Sequence, residues 1–292
     1  MKIATRTLYE NIINNLNSAS MDLSKANEMV STGKKINTAS DDPLGFVSVL
    51  GIRSSMANID QVGRNITTGK LWVNVSETSL NGAYEFLYQA KALLVNVNNA
   101  DIEPDQAADT IDKYINQILS LANSRVNGSY IFAGTKTDTK PFSFDEANPD
   151  QVNYNGNDTP FSIKVGIDTS VTVGANGEEI FGEIFETLID AKLGIDGGTY
   201  DTEDMEAAID DIEDQLDTLT AAISDITFAM TQFDVKEKIL EDLHLAYEDE
   251  KALIEDADIN EAVVSLKMKE LIYQTALSSS ARVMALSIVD YI

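Results

Sequence analysis

His244 is the single histidine of this 292-residue chain, and cysteine is absent. The side chains able to move protons or hold metals are therefore carboxylates, and 48 Asp and Glu face only 21 Lys and Arg. Three stretches have spacing that invites a chemical reading. Asp145, Asp150, Asn153, Asn155 and Asp158 have the look of a calcium loop, but they miss the EF-hand register and its twelfth-position glutamate, so a solvated acidic loop fits better. Glu203, Asp204, Glu206, Asp210, Asp211, Glu213 and Asp214 could offer paired carboxylates for acid-base work. On a helix, however, they alternate with an apolar stripe and form its wet face. Gly194 to Gly198 lacks the Gly-Lys-Ser or Gly-Lys-Thr ending of a phosphate loop. His244 lies on an apolar stripe between Leu240 and Tyr247, where no second His or Cys can complete a ligand set. No catalytic constellation, cofactor site or metal site is expected, and an enzyme is not the reading these residues support.

The elements that carry those residues are dominated by long helices. From Ile52 to Val97 every seventh residue is apolar: Ile52, Ile59, Ile66, Val73, Leu80, Leu87 and Leu94. The positions three further on are Ser55, Val62, Gly69, Ser76, Ala83, Ala90 and Val97, small or β-branched, which lets a partner helix approach closely. A seven-residue period sustained this long without proline predicts a long helix wound against another. That partner is predicted between Met205 and Phe233, where Met205, Ile209, Ile212, Leu216, Leu219, Ile223, Ile226, Met230 and Phe233 step by four and three. Trp72, next to Val73, is expected at the boundary of the packed face.

Taken in order, Leu8, Ile12, Leu16, Ala19, Leu23, Ala26 and Val30 form a first coiled-coil stripe that stops at Gly33, a left-handed helix terminator. Ser40-Asp41-Asp42-Pro43 offers cap oxygens and a first-turn proline for the second helix. Asn96 to Ala100 is a break, and Asp101 or Glu103 with Pro104 restarts a helix whose face is Ile111, Ile115, Ile118, Ala122 and Val126. From Gly128 the period changes. Ser129 to Ala133, Phe161 to Val165 and Val171 to Val173 are strand-like, with Pro141, Asn155-Gly156 and Asn176-Gly177 as turns, which predicts a small antiparallel β module. Ile180, Phe181, Ile184, Phe185 and Leu188 predict a short helix covering it, ended near Gly194 and Gly197-Gly198. Asp201 or Thr202 caps the return helix. The last helix carries Ile259, Val263, Leu266, Tyr273, Leu277, Met284, Ile288 and Tyr291. The expected fold is mainly α with a small β insert: long antiparallel coiled-coil-like helical rods built from both chain ends, with a central β-rich outer domain. The expected divisions are 1–40 with 258–292 as terminal helices, 41–137 with 200–257 as the rod, and 138–199 as the β-rich part.

The net charge of −27 argues against nucleic acid, whose phosphates need clustered cations. Residues 138–257 hold 31 acidic and six basic side chains, a net of −25. The first 40 residues hold five basic and three acidic side chains, and residues 258–292 hold three and four. Near-neutral ends can pack side by side in many copies without a large Coulomb penalty, while the acidic middle faces solvent. The apolar runs are too short to cross a membrane, and the first residues have no apolar signal region with a cleavage site, so neither membrane insertion nor a cleavable signal is expected.

Three stretches resemble the flagellin-like proteins of the bacterial flagellum. Val30-Ser31-Thr32-Gly33-Lys34-Lys35-Ile36-Asn37-Thr38-Ala39-Ser40-Asp41-Asp42-Pro43 is similar to the family's signature between its first two helices. Asn127-Gly128-Ser129-Tyr130-Ile131-Phe132-Ala133-Gly134-Thr135, followed by Lys140-Pro141-Phe142, resembles the members at the hook-filament junction. Ile254-Glu255-Asp256-Ala257-Asp258 resembles the entry into the family's terminal helix. Flagellin itself usually has alanines where this chain has Pro43, and larger outer domains than residues 138–199 could form.

The resemblance implies a structural subunit. Such a subunit leaves the cell through the flagellar type III export pathway and forms a ring between hook and filament. Its partners would be copies of itself, the adjoining hook-associated junction protein, flagellin-type filament subunits and a cytoplasmic export chaperone. Its assembly interface would be the stripes on the end helices: Leu8, Ile12, Leu16, Leu23 and Val30 at one end, and Val263, Leu266, Tyr273, Leu277, Met284 and Ile288 at the other. Two alternatives stand beside it. A minor flagellin would polymerise along the filament, and a secreted adhesin would need an exposed aromatic pocket among Tyr130, Phe142, Phe144, Tyr154 and Phe161.

Overall fold

Gly33 ends the first helix in the left-handed region, at φ 73°, with its N–H donating to the Met29 carbonyl. That stop is the first of the boundaries in a computed structural model that describes residues 2–99, 103–145, 148–166 and 168–289. The helices are α1 (Lys2–Thr32), α2 (Pro43–Asn98), α3 (Pro104–Ala122), α4 (Gly177–Asp196), α5 (Thr202–Glu255) and α6 (Ile259–Val289). Between α3 and α4 lie β1 (Arg125–Val126), β2 (Ser129–Tyr130), β3 (Phe142–Phe144), β4 (Val152–Tyr154), β5 (Ser162–Lys164) and β6 (Ser170–Thr172). Two helix starts follow the predicted caps, at Asp42 and Asp201, and Asp258 adds a third; Glu103 stands at the cap of α3 without a side-chain bond, and Asp101 lies outside the described residues. Asp42 Oδ1 accepts from the N–H groups of Leu44 and Gly45, Asp201 Oδ1 from those of Glu203 and Asp204, and Asp258 Oδ1 from those of Asn260 and Glu261. The chain is mainly α with a small β insert, as expected, and forms two compact units, residues 1–58 with 242–292 and residues 59–241.

In the unit 59–241 the seven-residue period of α2 is the spine of the core. Ile66, Val73, Leu80, Leu87 and Leu94 are fully buried, and so are Ala83 and Ala90 three positions after Leu80 and Leu87. From α5, Met205, Ile212, Leu216, Leu219, Ile226 and Phe233 join the same core. The two helices run antiparallel here: Lys91 pairs with Glu213, Gly69 lies under the Phe233 ring, and Lys70 pairs with Asp234 at 2.7 Å and Glu237 at 2.5 Å. Those two carboxylates, Asp234 foremost, hold the Lys70 ammonium above its usual pKa. Ile111, Ile115, Ile118 and Ala122 of α3 are buried against α4, whose Phe181, Ile184, Phe185 and Leu188 are buried in turn.

The strands differ from a single β module. They form three separate antiparallel pairs, β1 with β2, β3 with β4 and β5 with β6. Val126 is not on the α3 face as its spacing suggested; it lies in β1, because Asn127 (φ 51°) and Gly128 (φ 88°) make a two-residue turn with both residues at positive φ. Only Ser129–Tyr130 of the run to Ala133 is strand, while Ile131 and Phe132 drop into the core. Residues 138–199 share the core of α2, α3 and α5 through Phe142, Ile163, Val171 and the α4 face. Trp72 is likewise buried rather than at a boundary, stacked on Phe161 with centroids 4.8 Å apart. Asp145 and Asp150 are tied to Asn153 and Lys192, respectively, and among the described residues no group of three or more His, Asp or Glu side chains is placed to hold a metal ion. No described helix is long and apolar enough to cross a membrane.

Candidate assembly surface

The unit formed by residues 1–58 and 242–292 is built on α1 and α6, which pair antiparallel, with Lys269 donating to Asp22 at 2.6 Å and the Ala257 N–H donating to the Gly33 carbonyl. A seam of half-buried and buried residues steps by three and four on each helix. On α1 it comprises Tyr9, Ile12, Leu16, Ala19, Leu23, Ala26 and Val30; on α6, Ala262, Leu266, Lys269, Tyr273, Ala276, Ser280 and Val283. This is the heptad geometry of a two-helix coiled coil.

Of the predicted interface residues, Ile12, Leu16, Leu23, Val30, Leu266 and Tyr273 therefore lie on the seam inside the chain. Val263 and Leu277 flank it and are exposed, while Leu8, Met284 and Ile288 lie outside the described side chains. A second α6 face points away from α1. Val264, Met268 and Leu271 step by four and three, half a turn from the seam, and all three are exposed, Leu271 at 64%. Sequence reasoning missed this face because it took one stripe where α6 carries two.

At the base of the hairpin, the loops between α1 and α2 and between α5 and α6 are fastened together. The Lys35 N–H donates to the Glu255 carbonyl at 2.8 Å and the Ala257 N–H to the Gly33 carbonyl at 2.9 Å. The Glu255 side chain, 3% exposed, takes Lys34 at 2.8 Å and Arg53 at 2.5 Å on the same oxygen. Asp41 organises the loop itself. Its Oδ2 accepts from the Thr38 N–H, the Thr38 hydroxyl and the Asn37 N–H, and its Oδ1 from Lys25. The Thr38 N–H, the strongest influence, and these other donors hold the Asp41 carboxyl below its usual pKa of 3.8. A depressed folded-state pKa adds stability above the unfolded value, and that stability is lost as pH falls through the folded one. The Thr38 amide resonance should accordingly titrate below pH 3.8 in the native protein and stay flat in Asp41→Asn.

Known proteins share this plan. Residues 3–137 match the family of the bacterial flagellin N-terminal helical region. Flagellar hook-associated protein 3 of Salmonella typhimurium is 23% identical over 94% of this chain and 95% of its own length. The chain is similar to flagellin-like proteins of the bacterial flagellum along nearly its whole length. A flagellin of Clostridium tyrobutyricum is 24% identical to this chain over 72% of it, but over only 54% of the flagellin. The crystal structure of Bacillus cereus FlgL superposes with a TM-score of 0.60 at 23% identity, covering 69% of this chain and 98% of that one. The aromatic pocket an adhesin would need is filled from within. Phe142 is packed against Tyr154, Phe181 and Phe185, Tyr130 is buried under Arg125, Phe161 stacks on Trp72, and only Phe144 of the five is exposed.

Proposed function

We propose that this flagellin-like chain is a structural subunit of the bacterial flagellum, forming the ring at the junction of hook and filament. Two correspondences support the reading over a filament subunit: the match to hook-associated protein 3 runs end to end, whereas the flagellin match spans about half of the flagellin. The observation that carries the assembly role is the apolar α6 face of Val264, Met268 and Leu271, which points away from α1 and is left open to solvent. Contiguous exposed apolar side chains mark interaction surfaces. In this reading residues 1–40 and 258–292 meet the same residues of neighbouring copies, and the chain adjoins a hook-associated protein on one side and flagellin-type subunits on the other. It would leave the cell through the flagellar type III pathway, carried to it by a cytoplasmic chaperone. No covalent chemistry is required of it.

Immunogold labelling of isolated flagella should place the protein in one band at the filament end of the hook. Labelling along the filament would replace the junction reading with the minor-flagellin one. Leu271→Asp gives the matching functional test. Its side chain makes no part of the α1 seam, so the helix content of the purified chain should be unchanged. In the assembly the carboxylate would be buried without a partner at several kcal/mol. About 3 kcal/mol already means roughly a hundredfold fewer incorporated subunits, and filaments in normal number on cells carrying only Leu271→Asp would sink the role given to this face.

A further inference from the structure

A cavity of about 470 Å³ lies between α4 and the start of α5. Six carboxylates line it: Glu183, Glu186, Asp190, Asp204, Asp211 and Asp214. Among the described residues no lysine or arginine lines it, and none of the six carboxylates forms an ion pair. Gln215 completes the wall, 6% exposed. Its Nε2 donates to the Glu183 carbonyl at 3.2 Å and the Thr187 hydroxyl at 2.7 Å, which fixes the amide's orientation, because the Glu183 carbonyl can only accept. Its Oε1 is then a buried acceptor with no donor, a group that costs free energy until a donor arrives. The phenol of Tyr200 feels the same field: burial first, and then the charges of Asp190, Asp204 and Asp211, raise its pKa.

What would fill such a site is a cation carrying several N–H donors. The carboxylates are too dispersed for one metal ion, but they match a guanidinium and an ammonium presented together. The same unit carries that complement. A smaller hollow at the end of α3 is lined by Asn116, Ser120, Arg125, Tyr130 and Lys140 among others, with no carboxylate among the described residues. Arg125 lies 4.0 Å over the Tyr130 ring, and neither it nor Lys140 forms an ion pair among the described residues. The two surfaces share no residue, so both can be engaged at once.

We propose that the acidic cavity between α4 and α5 of one copy receives the Arg125–Lys140 surface of a second copy of this chain. Two different surfaces meeting head to tail make a heterologous contact, the kind that builds a ring when its rotation closes and an open helix when it does not, and opposite charges set its register. The inference rests on the reading that the chain assembles with itself, and it names the faces that would meet.

The absence of cysteine allows a direct test with the charges untouched. Ala207→Cys lies in the cavity wall and Ser120→Cys beside Arg125. With a short bismaleimide, a mixture of the two full-length variants should give at least tenfold more dimer than either alone, both in purified concentrated protein and in flagella. The pair Arg125→Glu and Lys140→Glu should lower incorporation tenfold or more, and adding Asp204→Lys and Asp211→Lys should bring it back to within threefold of normal. Equal cross-linking of the mixture and the single variants in both settings, or charge effects that add rather than cancel, would overturn the contact; the second result is also what a cavity filled only by small cations would give. Wild-type protein missing from the hook end would instead defeat the junction reading, leaving the cross-link result to stand for or against the contact by itself.

Discussion

Phe233→Ala should destabilise the 59–241 unit by about 3–5 kcal/mol, the range for deleting a fully buried phenylalanine. The ring is completely enclosed, and the residue beneath it explains why. A Cβ on Gly69 would stand 2.3 Å from the ring's Cζ and under 3 Å from both Cε atoms. Glycine at this heptad position lets α2 accept a large side chain from α5 where Ala83 and Ala90 serve further along. Gly69→Ala should cost about 1–3 kcal/mol through overpacking, more than the helix propensity gained, and combining it with Phe233→Leu should recover part of the loss. Urea midpoints of the three variants decide it. A neutral Gly69→Ala would mean that α2 and α5 are free to separate here.

Much of this architecture was readable because it rests on repeats that leave little choice. A heptad from Ile52 to Leu94 can bury its apolar positions only as a helix against helices, and the stop at Gly33 and the caps at Asp42 and Asp201 are local chemistry. What escaped the sequence was one local turn and several long-range contacts. Val126 continues the spacing of Ile111, Ile115, Ile118 and Ala122, so periodicity alone kept it on a helix, although Asn127-Gly128 was the stronger signal for a tight turn. The strands of Phe142–Phe144 and Val152–Tyr154 are three residues each, too short for alternation to show. The one fully buried side chain among them, Phe142, is enclosed by Phe181 and Phe185, some 40 residues away in the chain. On α6 the apolar residues are so frequent that one stripe could be drawn through two faces. Only the position of α1 separates Leu266 and Tyr273, which it covers, from Val264, Met268 and Leu271, which it does not.

Removing the cations around Glu255 should do more harm than removing Glu255 itself. Lys34 and Arg53 are 38% and 48% exposed, whereas the carboxylate is 3% exposed and its second oxygen has no hydrogen-bond partner. In Glu255→Gln both cations can turn to water and the buried group is neutral, so the cost should stay near that of lost charge-assisted hydrogen bonds, about 1.5–3 kcal/mol. Lys34→Met with Arg53→Met instead leaves a charge enclosed without compensation, at about 3–5 kcal/mol. Adding Glu255→Gln to that pair should give stability back, a sign reversal that no loss of packing would produce. The site of the damage also matters for assembly. The α1–α2 and α5–α6 loops are the covalent attachments of the end helices, and Glu255 joins them through its side chain to Lys34 and through its carbonyl to Lys35. Hydrogen exchange at the Lys35 and Ala257 amides should therefore accelerate in the cation-free variant before α1 and α6 themselves open. A variant ranking with Glu255→Gln as the worst would show that the carboxylate is held by packing, with the two cations incidental.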